Sequence, residues 1–200
     1  MYKKDARKIL TMGNHKLGNT IASWTLPANK EVCGRECPGC YAIKAQYMYP
    51  AVSPSREQKY MFSKEKEFKK TIIEAAKVLQ PKYIRVHDSG EFYSQEYVDN
   101  WAKIAKSFPE QIFYAYTKRM DDFNFKKLKK LDNFILINSL HNGRINYGTV
   151  ENRPQDMFLC PDHKGSEARI VQPKDPICGI TCTYCMSKEA EKTGVYFVQH

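Results

Sequence analysis

Apolar positions along this 200-residue chain change period from segment to segment. Short runs rich in β-branched and aromatic residues recur at Thr20–Leu26, Tyr83–His87, Gln111–Thr117, Phe134–Ser139, Ala168–Gln172 and Val195–Gln199. Their length and composition predict buried strands. Between several of them the spacing turns helical. Phe68, Ile72, Ala75, Ala76 and Leu79 fall on one helix face, with Ser63 as the expected N-cap and Pro81 as the stop. Ser94 is expected to cap a second helix, in which Tyr97, Trp101, Ile104, Ala105 and Phe108 share a face and Pro109 ends the run. A third, shorter helix is predicted over Phe123–Leu131 with its lysines toward water.

The order strand, helix, strand, helix, strand, helix, strand predicts an α/β fold: an incomplete (β/α) barrel with a mostly parallel sheet. Such sheets carry their functional loops at the C-terminal ends of the strands. The periodicity fades after Asn142, where Gly, Pro, Asn and Asp accumulate together with four cysteines. Residues 142–200 therefore read as a loop-rich, metal-organised C-terminal part of a single domain spanning 1–200.

Composition narrows the function classes. No apolar run reaches the length of a membrane-spanning helix, and the Met1-Tyr2-Lys3-Lys4-Asp5 start lacks the apolar stretch of a signal peptide. A cytoplasmic protein with no membrane partner is expected. The formal charge of +10, from 32 basic and 22 acidic side chains, makes nucleic acid a candidate partner. Lysines spread over solvated helix faces explain the same total. Tyrosines among lysines can stack bases and meet phosphates, although strand and helix positions also use them. No Walker loop, nucleophile elbow or H-E-x-x-H segment occurs, which argues against nucleotide hydrolysis, serine hydrolysis and zincin chemistry.

The cysteines change the picture most. Six of seven lie in two triplets of the same spacing, Cys33-Gly-Arg-Glu-Cys37-Pro-Gly-Cys40 and Cys178-Gly-Ile-Thr-Cys182-Thr-Tyr-Cys185, and Cys160 precedes the second. Disulfides, zinc and iron–sulfur clusters all use thiols this close. An odd count without a leader disfavours disulfides, and each triplet contains a plausible C-x2-4-C zinc knuckle but carries an extra cysteine. Three thiolates on one loop can hold three irons of a cubane and leave the fourth open.

Placed after the first predicted helix-flanked strand, the Cys33–Cys40 loop resembles the radical S-adenosylmethionine (SAM) superfamily. The resemblance implies a [4Fe–4S] cluster on Cys33, Cys37 and Cys40, with SAM on the open iron. The strand Tyr83–His87 then runs into Asp88-Ser89-Gly90-Glu91, similar to that superfamily's turn for the SAM amine. Ser89, Gly90 and Glu91 become cofactor-contact candidates by resemblance. An ordinary strand-to-helix turn, with Glu91 serving the dipole of the helix after Ser94, is the alternative. Thr117, Asn138 and Ser139, at the ends of the next two strands, would line the same mouth. His87 and Asp88 fit either the site or the core. An aromatic residue precedes the third cysteine in the superfamily motif; Gly39 stands there in the first triplet, and Tyr184 precedes Cys185 in the second. Only 15 residues follow Cys185, so topology assigns SAM to the first triplet. Cys160, Cys178, Cys182 and Cys185 would form a four-thiolate site for a second [4Fe–4S] cluster or zinc.

The segments Gly13-Asn14-His15-Lys16-Leu17-Gly18-Asn19 and Trp24-Thr25-Leu26-Pro27-Ala28, with the cysteine loop and the Ser-Gly-Glu turn, are also similar to small phage proteins of the gene product 88 family. That resemblance covers roughly the first 120 residues and implies no settled activity. Two functions follow as expectations. One is a radical SAM enzyme that reductively cleaves SAM, supplied with electrons by a flavodoxin or ferredoxin, and acts on a nucleic-acid or protein substrate. The other is a non-catalytic iron–sulfur or zinc protein that binds nucleic acid or a protein partner.

Overall fold

The computed structural model describes residues 1–14, 17–37, 40–141, 144–145, 147–148, 155, 157–159 and 182–198. Five strands form the main sheet: β1 (Thr11–Asn14), β2 (Gly18–Trp24), β3 (Tyr83–Val86), β4 (Ile112–Thr117) and β5 (Phe134–Asn138). Their spatial order is their chain order. β1 pairs antiparallel with β2, and β2 through β5 are mutually parallel. The fold is mixed α/β with a mostly parallel sheet, as the alternating pattern predicts. The sheet is open and does not close into a barrel.

Parallel neighbours need crossovers, and helices supply them. Ahead of β1 lies α1 (Lys3–Ile9). Between β2 and β3 come α2 (Lys30–Cys33), α3 (Tyr41–Met48), α4 (Val52–Ser63) and α5 (Phe68–Leu79). α6 (Gln95–Lys106) joins β3 to β4, and α7 (Lys126–Lys129) precedes β5. The α5 face is buried at each of its five predicted positions. Its predicted cap is corrected. Ser63 ends α4, donating its hydroxyl to the Tyr60 carbonyl at 2.6 Å, and Glu67 occupies the N-cap of α5. Ser94 does cap α6, accepting from the Tyr97 N–H at 3.2 Å. The third helix shrinks to α7, one turn within the predicted span.

Strand alternation sorts side chains to two faces. Ala22, Trp24, Ile84, Val86, Phe113, Ala115, Phe134 and Leu136 join α1, α5, α6 and α7 in the larger core. Ile21, Tyr83, Tyr114, Ile135 and Ile137 face the other way, against Met186, Ala190 and Val195. Ala190 belongs to α8 (Lys188–Thr193), whose Glu191 accepts from the Leu136 N–H at 2.8 Å. Short pairings complete the described chain: β6 (Leu140–His141) with β7 (Arg144–Ile145), and β10 (Val195–Val198) between β8 (Tyr147–Gly148) and β9 (Phe158–Leu159). The predicted strand Ala168–Gln172 and most of the expected metal-organised segment lie outside the described residues. No helix among the described residues is long and apolar enough to cross a membrane.

Candidate functional site at the strand ends

The C-terminal ends of β2, β3 and β4 bring together side chains far apart in sequence. After β2, Asn29 caps α2 by accepting from the Val32 N–H at 2.9 Å. Cys33 ends this single turn. Gly34 follows at φ +69°, the left-handed region that stops a helix. A Cβ there would lie 2.7 Å from the Arg119 guanidinium. Arg119 lies across that turn, with Nη1 3.4 Å from the Val32 carbonyl and Nε 2.5 Å from Asp122. The end of β4 thus pins the start of the cysteine loop.

The turn after β3 is fixed as firmly. The Trp24 carbonyl accepts from both His87 and Asp88 N–H groups, and the Leu26 N–H donates to the Ser89 carbonyl at 2.9 Å. Gly90 has φ +83°, and a Cβ would sit 2.5 Å from the Leu26 Cβ. Glycine is required here by the close approach to the segment that follows β2. Its role in the turn is therefore one of geometry.

Glu91 is the chemical centre of this region. Its carboxyl is buried and accepts from the Thr117 hydroxyl at 2.8 Å, the Lys118 N–H at 2.8 Å and the Phe92 N–H at 3.3 Å. Burial raises its pKa, against the lowering effect of the Lys118 and Thr117 bonds. The Cys33 thiol is pushed up to about 12, first by burial, then by Glu91, Cys40 and Cys37, with Lys118 pulling the other way. Cys33 is a protonated thiol at neutral pH.

The other candidates divide. Thr117 is buried and engaged with Glu91. Ser139 is buried, its N–H donating to the Thr117 carbonyl at 2.7 Å. Asn138 is exposed and accepts from the Leu140 N–H at 3.0 Å, shaping the turn after β5. His87 is a core residue: its Nε2 meets the Tyr97 hydroxyl at 3.0 Å, and burial lowers its pKa to about 3. Asp88 stays at the mouth. Ser23 donates to its Oδ2 at 3.5 Å, and the Tyr41 hydroxyl donates to its backbone carbonyl. Arg85 lies in register with Ser23 and Tyr114 on the second face, its guanidinium 5.8 Å from the Tyr116 ring centroid. The alternation of β3 was the one signal that could have placed Arg85 there.

Several polar atoms in this region are left over. Thr25 Oγ1, Arg85 Nε, His87 Nδ1, Asp88 Oδ1 and Ser89 Oγ are buried with no hydrogen-bond partner among the described residues. Native proteins leave few such atoms, and here they follow two adjacent strand ends.

Sequence comparison supplies the relationship. A family model described as "Gene product 88" matches residues 1–191. The chain belongs to the gene product 88 family. It is similar to the "Gene 88 protein" of Mycobacterium phage D29, 26% identical over 146 residues, and to that of Mycobacterium phage L5, 25% identical over 146 residues. Each alignment covers 64% of this chain and 60% of the relative, so the chain matches less than two thirds of these proteins' length. No solved structure matches.

Membership of the gene product 88 family corrects the radical SAM assignment, because the family model that matches is that of gene product 88 and no radical SAM family is matched. The cofactor assignments fall with it. Among the described residues no group of three or more His, Cys, Asp or Glu side chains is arranged to hold a metal ion. The spacing of Cys33, Cys37 and Cys40 is a local property of the chain; a metal site also needs thiols that converge in space. Neither the cubane on the first triplet, the second cubane or zinc on Cys160, Cys178, Cys182 and Cys185, nor SAM is retained, and the electron donor loses its role. Cys160 and Cys178 lie outside the described residues. Cys33, Cys37, Cys40 and Cys182 are free, and Cys185 packs at the second face beside Tyr116.

Proposed function

We propose that this protein is an enzyme acting in the cytoplasm on a nucleic-acid or protein substrate at the strand-end mouth. Arg85, Asp88 and Ser89 grip the substrate, and Glu91 carries the proton. The observation that carries this reading is the group of buried, unpartnered polar atoms at Thr25, Arg85, Asp88 and Ser89. Each unsatisfied buried group costs about 1–3 kcal/mol, a cost that a bound polar ligand removes. A guanidinium donor beside a carboxylate acceptor suits a ligand presenting both an acceptor and a donor edge. Glu91 suits general acid–base work because burial moves its pKa toward neutrality.

Thermal-shift titration tests the reading with two sets of monomers, nucleoside monophosphates and free amino acids. A ligand of this site should raise the midpoint by about 3–6 °C at tenfold excess over its Kd. Asp88→Asn should abolish the rise. If no monomer raises the midpoint, or if Asp88→Asn responds like the parent protein, the mouth is not the site. A second reading, a non-catalytic protein binding nucleic acid or a protein partner, is favoured by the Cys33 thiol, whose high pKa denies it a nucleophile's activation.

A further inference from the structure

Helix α3 presents three large side chains, Tyr41, Tyr47 and Met48, to solvent. Tyr41, Lys44, Tyr47 and Met48 follow an i, i+3, i+6, i+7 spacing and form one exposed stripe. Tyr41 is 66% exposed, Tyr47 86%, Met48 58% and the adjoining Tyr49 58%. Meanwhile the inward side carries Ala42 and the polar Gln46. Gln46 accepts from the Ala28 N–H at 2.7 Å and from Arg56 at 3.1 Å. Arg56 also donates to the Ala42 carbonyl at 2.9 Å. The orientation is therefore fixed by hydrogen bonds, and the aromatic stripe is held outward.

Charge selects the occupant. Lys44 is the one charged residue of α3. From Arg35 to Lys64 the chain carries five basic residues (Arg35, Lys44, Arg56, Lys59 and Lys64) and two acidic ones (Glu36 and Glu57). The whole protein is at +10. Arg35, in the cysteine loop just ahead of α3, keeps a buried Nε with no partner among the described residues. Arg56 is turned to the inner side of α3 and Lys59 lies over the Trp24 ring, so Lys44 is the cation within the stripe. Exposed tyrosine faces beside it, on a basic chain, match unpaired bases on a phosphate backbone. Duplex nucleic acid hides those faces, and an acidic peptide lacks them.

We infer that the outer stripe of α3 binds single-stranded nucleic acid and leads it into the strand-end mouth, which the Tyr41 hydroxyl touches through the Asp88 carbonyl. This deepens the proposed function by naming the substrate class. It rests on that reading only for the strand's destination.

Fluorescence anisotropy with a labelled oligothymidylate of about 12 nucleotides tests the inference. The expected result is binding that weakens with salt, is weaker for a duplex of equal length, and is not displaced by polyglutamate at equal charge concentration. Tyr47→Ala should weaken it roughly 5- to 100-fold, and Lys44→Ala should flatten the salt slope by about 0.7. Both side chains are solvent-facing, and circular dichroism should show that the variants fold like the parent. Absence of binding at low salt, equal affinity for duplex, displacement by polyglutamate, or unchanged affinity in Tyr47→Ala each overturns the inference. The two readings fail separately: oligothymidylate binding that Tyr47→Ala weakens, with no monomer raising the thermal midpoint, overturns the proposed function and leaves this inference standing, whereas a monomer response without oligothymidylate binding overturns this inference alone.

Discussion

The helix-covered face of the sheet and its C-terminal rim grow from the same parallel strands, yet they are filled by different rules. On the face, Trp24, Phe68, Tyr97 and Trp101 are fully buried. Phe68 sits 5.4 Å from Trp24, 5.7 Å from Tyr97 and 5.8 Å from Trp101, measured between ring centroids. One polar tip joins in, the Trp24 indole donating to the Tyr97 hydroxyl at 2.9 Å, while the Trp101 Nε1 has no hydrogen-bond partner among the described residues. At the rim, burial is just as deep at Thr117, Ser89 and Glu91, but directional bonds hold the side chains and some polar atoms remain unpaired. Apolar packing is non-directional and stabilises in proportion to area. A buried polar rim contributes less stability and more selectivity. The contrast assigns the face to folding, and the recognition role of the rim is what the proposed function adds.

Trp101→Ala is the strongest way to break that division. It should lower unfolding free energy by about 3–5 kcal/mol in urea titrations, while the slow alkylation of Cys33 in the folded protein stays as it was. A loss below about 1 kcal/mol would mean that the face is not the stabilising layer. Gly90→Ala comes next, because it strains the rim without touching the face. The left-handed backbone and the 2.5 Å approach to Leu26 should cost about 1–3 kcal/mol. Unlike Trp101→Ala, it should also alter Cys33 alkylation, since the turn carries Glu91. An unchanged alkylation profile would separate the turn from the cysteine loop and remove the coupling on which the rim depends.

The face was more legible in the sequence than the rim, for a physical reason. Strands β2 to β5 and helices α5 and α6 are written in periodic apolar positions that one segment reveals alone. Helix α3 escaped that reading because its Tyr41, Tyr47 and Met48 point outward and Gln46 points inward, which inverts the usual pattern. Ser63 was misplaced because a hydroxyl can serve either end of a helix, and here it bonds back to Tyr60. Glu91 read as a cofactor contact, with a dipole role toward α6 as the alternative, but the acid in that first turn is Glu96. Its real partners, Thr117 and Lys118, are 26 and 27 positions away. Similarly, the regular cysteine spacing carried no information about thiol orientation or about the carboxyl that faces Cys33.

The smallest effect probes the rim most finely. Glu91→Gln preserves shape: the amide oxygen can accept from the Lys118 N–H and the amide nitrogen can donate to the Thr117 hydroxyl, with the long bond from the Phe92 N–H given up. The exchange should cost about 0.5–1.5 kcal/mol in acid. Its pH dependence carries the information. Burial raises the folded-state pKa of Glu91 above the ordinary 4.5, the Lys118 and Thr117 bonds opposing it. Between the unfolded and folded values the native protein holds a proton that the unfolded chain has released. Stability from this group is therefore complete below 4.5 and is lost as pH rises through the folded pKa. Glu91→Gln cannot titrate, so the parent's advantage over it should shrink from acid to neutral buffer in parallel urea titrations. Removal of the carboxylate should also lower the Cys33 pKa from about 12, read as faster iodoacetamide alkylation in mildly alkaline buffer. If the parent's advantage instead grows with pH, the three hydrogen bonds outweigh burial and Glu91 stands as a fixed carboxylate. It would then act as an acceptor at the rim and not as its proton carrier.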